Sequence, residues 1–138
     1  MIDQQCVKEK VRNDIAEILV VEDDPEINEL LGAYIELSGY ECKRVKNGAD
    51  AIAHAISGNP SLVLLDVMLP DMSGVDICAR LRKIPSTAQV PIIMLTACDL
   101  QNIRDAAHKA GATELRSKPF DPERLMETIE MRLNGVSH

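Results

Sequence analysis

Short apolar runs in this chain end, one after another, in residues that carry chemistry. Ile18-Leu19-Val20-Val21 runs into Glu22-Asp23-Asp24, and Leu62-Val63-Leu64-Leu65 runs into Asp66. Ile92-Ile93-Met94-Leu95 runs into Thr96, and the more polar stretch 114–117 runs into Lys118. If these ends share one rim, carboxylates, a hydroxyl and an ammonium converge. Clustered carboxylates repel one another unless a cation lies among them, and hard oxygen ligands select Mg²⁺ or Mn²⁺. Such a metal offsets the repulsion and leaves Asp66 ionised as a nucleophile. Thr96 and Lys118 are donors of the kind that meet the charge of an incoming phosphoryl group. Each residue also has an ordinary role. An acid can cap a helix or start a turn, Thr can end a strand, and Lys can lie on a surface. Their joint appearance at successive run ends is what points to phosphoryl chemistry.

The elements that must position these residues follow from periodicity. Run 62–65 lies between Asn59-Pro60 and Leu69-Pro70, which fits a strand buried on both faces. In an open parallel sheet, ligands bind just outside the carboxyl ends of such strands. Asp24 suits a helix N-cap and Pro25 the first helical position. Ile27, Leu30, Leu31, Tyr34 and Ile35 then repeat at helical spacing, until Ser38-Gly39. Stretch 41–45 reads as a weaker strand nearer an edge. Asn47-Gly48 turns into a helix whose inner face is Ala51, Ile52, Ala55 and Ile56. Stretch 71–74 is a loop, and 75–83 a helix with Val75, Cys78, Ala79 and Leu81 available to the core. Leu100, Ile103, Ala107 and Ala110 fit a helix ending at Gly111. Asp121-Pro122 opens a last helix, with Leu125, Met126, Ile129 and Leu133 inward and Asn134-Gly135 as its stop. Strand then helix, five times, predicts an α/β fold. Its five-stranded parallel sheet is doubly wound, (βα)5, with helices on both faces.

Length and composition set the outer bounds. The 138 residues are one domain's worth, 46% hydrophobic and 27% charged, a globular mix. The division expected is a mobile N-terminal extension over 1–16, a domain over 17–134 and a tail over 135–138. Val7, Val11 and Ile15 are spaced four apart, so a short helix in the extension is an alternative. The net charge of -7 argues against a nucleic-acid or anionic-membrane surface. No apolar run approaches the roughly 20 residues of a membrane span. The first residues lack a secretory core, so a cytoplasmic protein is expected. Cys6, Cys42, Cys78 and Cys98 show neither CxxC nor zinc-like spacing, which suits reduced, packed thiols. His54, His108 and His138 are scattered.

The same residues carry a family resemblance over about 17–134. The matching pieces are Ile18-Leu19-Val20-Val21-Glu22-Asp23-Asp24, Leu64-Leu65-Asp66-Val67-Met68-Leu69-Pro70-Asp71-Met72-Ser73-Gly74, Pro91-Ile92-Ile93-Met94-Leu95-Thr96-Ala97 and Lys118-Pro119-Phe120. In that order and spacing they resemble a response-regulator receiver domain (CheY-like) of two-component signal transduction. The resemblance implies the flavodoxin-like strand order 2-1-3-4-5. It implies Asp66 as phosphoacceptor, taking a phosphoryl group from the phosphohistidine of a histidine kinase and relaying the signal by conformational change. Asp23 would be a direct Mg²⁺ ligand, Glu22 would assist through water, and Met68 would offer its backbone carbonyl. Thr96 would be the switch hydroxyl and Lys118 the phosphoryl contact, its peptide to Pro119 cis. The implied activity is that of a signalling phosphoacceptor that catalyses only its own phosphorylation and dephosphorylation. The implied partners are a sensor histidine kinase or phosphotransfer protein, and a downstream effector or fused output domain. Neither direct nucleic-acid binding nor a membrane is expected, and the chain should be a monomer or weak homodimer. No room remains after 134 for an effector domain, so a complete single-domain regulator or a piece of a larger one is expected.

Two departures stand out. Leu115 occupies the place, three before the Lys, where such domains carry Tyr or Phe, and Arg116 stands where a strand residue is commonly apolar. Other chemistries fit less well. A haloacid-dehalogenase-type phosphatase needs a second acid two residues after its Asp, where this chain has Met68. A nucleotide-binding domain would want a glycine loop, and the chain has no GxG or GK[ST]. Only Tyr34, Tyr40 and Phe120 could sandwich a flavin. The runner-up is a degenerate receiver acting as a phosphorylation-independent interaction module. The intact acid, Thr and Lys set argues against it, and Leu115 keeps it in view.

Overall fold

The structure, a computed structural model, describes residues 15–97 and 100–134. Calls on the outer parts of the chain (the extension up to residue 14, Gly135 and the tail) and on Cys98 lie outside the described residues. Five strands alternate with five helices: β1 Glu17–Val21, α1 Pro25–Leu37, β2 Glu41–Val45, α2 Gly48–Ser57, β3 Leu62–Asp66, α3 Gly74–Leu81, β4 Ile92–Thr96, α4 Leu100–Ala110, β5 Glu114–Ser117 and α5 Pro122–Asn134. All strand pairs are parallel, in the order β2-β1-β3-β4-β5.

Composition explains which strands are central. All five residues of β3 and of β4 are buried, as an interior parallel strand covered on both faces requires. β2 (ECKRV) and β5 (ELRS) carry most of the strand charges, and they are the edges. Side chains alternate faces along each strand and build two cores. Leu19, Val21, Val63, Leu65, Ile92 and Met94 pack with Ala51 and Ala55 of α2, Ile77, Cys78 and Leu81 of α3, and Ala107 of α4. Ile18, Val20, Leu62, Leu64, Ile93 and Leu95 pack with Leu31 and Ile35 of α1 and with Leu125, Met126 and Ile129 of α5.

Two inner-face readings change. Ile56, placed inward from its spacing, is mostly exposed, and Leu30 of α1 is partly exposed. Ala51 and Ala55 form the face of α2 that packs into the core, and Ile56 lies off that face. Ile77 is fully buried and anchors α3, which runs Gly74–Leu81 rather than 75–83. Both described cysteines behave as packed thiols. Burial pushes Cys42 up to about 11, and buried Cys78 is also raised and donates to the Ala110 carbonyl at 3.4 Å.

Arg82, one residue past α3, holds the stretch between α3 and β4 together. Its guanidinium donates to the carbonyls of Gly111 (2.9 Å), Thr87 (2.9 Å), Ala88 (3.3 Å) and Val90 (2.6 Å), and to Thr113 Oγ1 (3.3 Å). Gly111 makes this possible. It has φ of 100°, and a Cβ there would press on the Arg82 side chain. Removing the guanidinium strands several carbonyls at once, each a loss of order 1 kcal/mol or more. Arg82→Ala should therefore cost roughly 2–4 kcal/mol in urea unfolding, and exposed Arg80→Ala less than about 0.5 kcal/mol. Equal effects would contradict the assignment.

Candidate functional site

Strand register brings the sequence-predicted acids to one rim. Val21 pairs with Leu65, so Glu22 and Asp66, each one residue further, lie side by side. Asp66 pairs with Leu95, one residue before Thr96, and Thr96 pairs with Ser117, one residue before Lys118. The Lys118 N–H donates to the Thr96 carbonyl at 2.8 Å, and the Lys118–Pro119 bond is cis. Carboxylate oxygens of Glu22, Asp23 and Asp66 all lie within 4.8 Å of one another. Glu22, Asp66 and Thr96 are buried, whereas Asp23 is exposed at the mouth of the group.

Local chemistry fixes each arm. Asp24 is the N-cap of α1 and accepts from the Glu26 and Ile27 N–H groups at 2.9 and 3.3 Å. Capping turns Asp24 away from the cluster and leaves Asp23 facing it. The Glu22 carboxylate accepts from the Asp24 N–H at 3.1 Å. The Lys118 ammonium lies 2.8 Å from Glu22 Oε1 and 3.2 Å from Asp66 Oδ2. The Met68 N–H reaches back to Asp66 Oδ1 at 3.2 Å.

The turn after Asp66 is held at both ends. Gly74 donates to the Val67 carbonyl at 2.7 Å, and a Cβ at Gly74 would collide with the Asp66 backbone, so only glycine fits this approach. Asp71 accepts from the Gly48 and Ala49 N–H groups at 2.8 and 2.9 Å, which holds its carboxyl below the usual range and ties the turn to the start of α2. Sequence reasoning placed Asp71 only in a loop. It also passed over Asn28, buried behind Glu22. Asn28 shares the i, i+3, i+7 stripe with Leu31 and Ile35, and a polar residue on that stripe was the available signal.

Electrostatics set the protonation of the group. Burial pushes Glu22 up from 4.5 to about 7, against the pull of the Lys118 hydrogen bond and with a further push from Asp66. Lys118 also loses hydration, but Glu22 and Asp66 together hold its ammonium above the usual range. Three hard oxygen donors, one of them open to solvent, fit a small divalent cation that keeps part of its water. Arg116, unexpected in a strand, is accounted for at the edge. It pairs with Glu114 at 3.0 Å and donates to Thr128 Oγ1 at 2.7 Å, while Arg132 holds the other Glu114 oxygen at 2.7 Å. Leu115 is half-buried and packs on the core side of α2, α3 and α4.

Comparison with known proteins agrees with this geometry. The family model described as response regulator receiver domain matches residues 18–130. The chain is 34% identical over 116 residues to the DNA-binding dual master transcriptional regulator RpaA of Synechocystis, covering 84% of this chain and 48% of that protein. It is 40% identical over 116 residues to the transcriptional regulatory protein GltR of Pseudomonas aeruginosa, covering 84% and 48%. The chain thus spans about half the length of these relatives. A receiver domain protein of Methanospirillum hungatei superposes with a TM-score of 0.84 at 27% identity, covering 88% of this chain and 96% of that one. The receiver domain of the sensor histidine kinase PA1611 of Pseudomonas aeruginosa, with a magnesium ion coordinated in its active site cleft, superposes with a TM-score of 0.79 at 32% identity. That match covers 88% of this chain and 99% of the other. The chain belongs to the response regulator receiver domain family.

Proposed function

We propose that the chain is a phosphoacceptor, with Asp66 taking a phosphoryl group from a phosphohistidine in a Mg²⁺-dependent reaction. The observation that carries this reading is the position of Lys118, whose ammonium bridges Glu22 and Asp66 within hydrogen-bond distance of both. In the reaction an Asp66 carboxylate oxygen attacks phosphorus and forms the new O–P bond. The N–P bond of the donor breaks, and the imidazole leaves with its electron pair and takes up a proton. Asp23, Glu22, Asp66 and the Met68 carbonyl would hold Mg²⁺, which would offset the negative charge at the reacting centre. Mn²⁺ has the same preference for oxygen and would substitute. Lys118 is placed to contact a phosphoryl oxygen, and Thr96, at the neighbouring strand end, to donate a second hydrogen bond. A phosphorylation-independent module would have no use for a buried acid pair held by one ammonium. The partners that fit are a histidine kinase or phosphotransfer protein upstream and an effector or output domain downstream. No helix among the described residues is long and apolar enough to cross a membrane, and we read the protein as cytoplasmic.

Incubation with Mg²⁺ and acetyl phosphate should add one base-labile phosphoryl group, which Asp66→Asn should lack. Asp23→Ala should slow labelling at least tenfold more than Asp24→Ala, because Asp24 is occupied in capping α1. Undiminished labelling of Asp66→Asn would overturn the proposal.

Glu22 gives a pH prediction with a definite sign. Between its unfolded pKa of 4.5 and its folded value of about 7, the folded chain keeps a proton that the unfolded chain has released. Its contribution to stability is therefore full below 4.5 and is lost as pH rises through 7. In EDTA, Glu22→Gln should match wild type near pH 5 and exceed it by on the order of 1–3 kcal/mol at pH 8. The opposite trend in urea unfolding would contradict the assignment.

The Leu115 position bears on how the signal leaves the site. Leucine moves less apolar area than an aromatic when a pocket repacks, so it offers a smaller free-energy difference between states. Hydrogen exchange over 100–120 should change little on phosphorylation in wild type and more in Leu115→Tyr. A large change, equal in both proteins, would show that the aromatic is dispensable.

A further inference from the structure

Behind the acid cluster, Asn28 of α1 clamps the backbone that carries it. The side chain is almost fully buried. Its Nδ2 donates to the Glu22 carbonyl at 2.9 Å and to the Val45 carbonyl at 3.1 Å. Its Oδ1 accepts from the Arg44 guanidinium at 3.1 Å. Only one orientation of the amide satisfies this surround, because carbonyls only accept and a guanidinium only donates. The Glu22 N–H itself donates to the Val45 carbonyl at 3.1 Å. Glu22 is thus held at both backbone groups, and β1 and β2 are closed together just where the acidic loop begins.

The Glu22 carbonyl lies in the same rigid peptide plane as the N–H of Asp23. Fixing that carbonyl sets the plane from which the Asp23 side chain departs. Among the described residues, no hydrogen bond or ion pair anchors the Asp23 carboxylate, and Asp24 is committed to the helix cap. The aim of Asp23 therefore depends on the backbone beneath it. We propose that Asn28, oriented by Arg44, is a positioning residue that aims Asp23 at the cation site by locking the Glu22–Asp23 peptide plane. This rests on the reading of Glu22, Asp23 and Asp66 as a Mg²⁺ site.

The test measures Mg²⁺ affinity of the unphosphorylated full chain by calorimetry, beside urea unfolding of the same samples. Asn28→Ala should raise the Mg²⁺ dissociation constant roughly tenfold, as loss of a supporting hydrogen bond behind a metal ligand does. Arg44→Met leaves both amide donors in place at an exposed position, and should raise it only about two- to threefold. Ile35→Val, a cavity on the same helix away from the loop, should lower stability and leave the dissociation constant unchanged. If Asn28→Ala and Arg44→Met both bind Mg²⁺ as wild type does, the positioning role is wrong while the metal site stands. The role is also wrong if Ile35→Val weakens binding as much as Asn28→Ala, since the effect then tracks stability alone. Failure of wild type to bind Mg²⁺ would overturn the metal site and this inference together.

Discussion

One ammonium set among carboxylates is the constraint around which the domain is arranged. Glu22 and Asp66 are both buried at the ends of adjacent strands, and Lys118 lies within 3.2 Å of each. Two buried carboxylates repel strongly, and neither has water enough to screen the other. One cation relieves part of this, while burial, with a smaller push from Asp66, still holds Glu22 above its usual range. Under the proposed function, that crowding of acids would favour a divalent cation beside Asp66. Lys118 comes from the far edge strand, 96 residues from Glu22, so the pairing exists only in the completed fold.

The rest of the structure keeps this crowding from relaxing. The buried central strands give a rim that cannot shift register without turning their apolar side chains out of the two cores. Asp24 caps α1, Gly74 permits the tight turn after Asp66, and Asp71 ties that turn to α2. On the opposite side of the chain's middle, Arg82 gathers the carbonyls of a stretch with no regular structure of its own. Polar groups that would otherwise be orphaned therefore hold the connections, while apolar packing holds the layers.

Much of this was legible in the sequence because it rests on local signals. Unbroken apolar runs marked β1, β3 and β4, the Asp-Pro pair marked the start of α1, and the charged stretches marked β2 and β5 as weak or edge strands. The acids, Thr96 and Lys118 were legible because each follows a run end. What stayed hidden depends on contacts between distant residues. Nothing local distinguishes Ile56, which faces out, from Ile77, which is fully buried, because the choice follows from which face each helix turns to the core. No local pattern marks Arg82, because its five acceptors are brought together only by the fold. Asn28 is polar where its stripe is otherwise apolar, and that place on the buried stripe is its one local clue.

The central claim is that the ammonium-balanced carboxylate group makes Asp66, and no other acid on the rim, the nucleophile. The most direct measurement is to phosphorylate the protein with a small donor, reduce the acyl phosphate with borohydride, and locate the resulting homoserine by tandem mass spectrometry. The account predicts homoserine at position 66 alone. Homoserine at position 23 or 24, or shared among the rim acids, would contradict it.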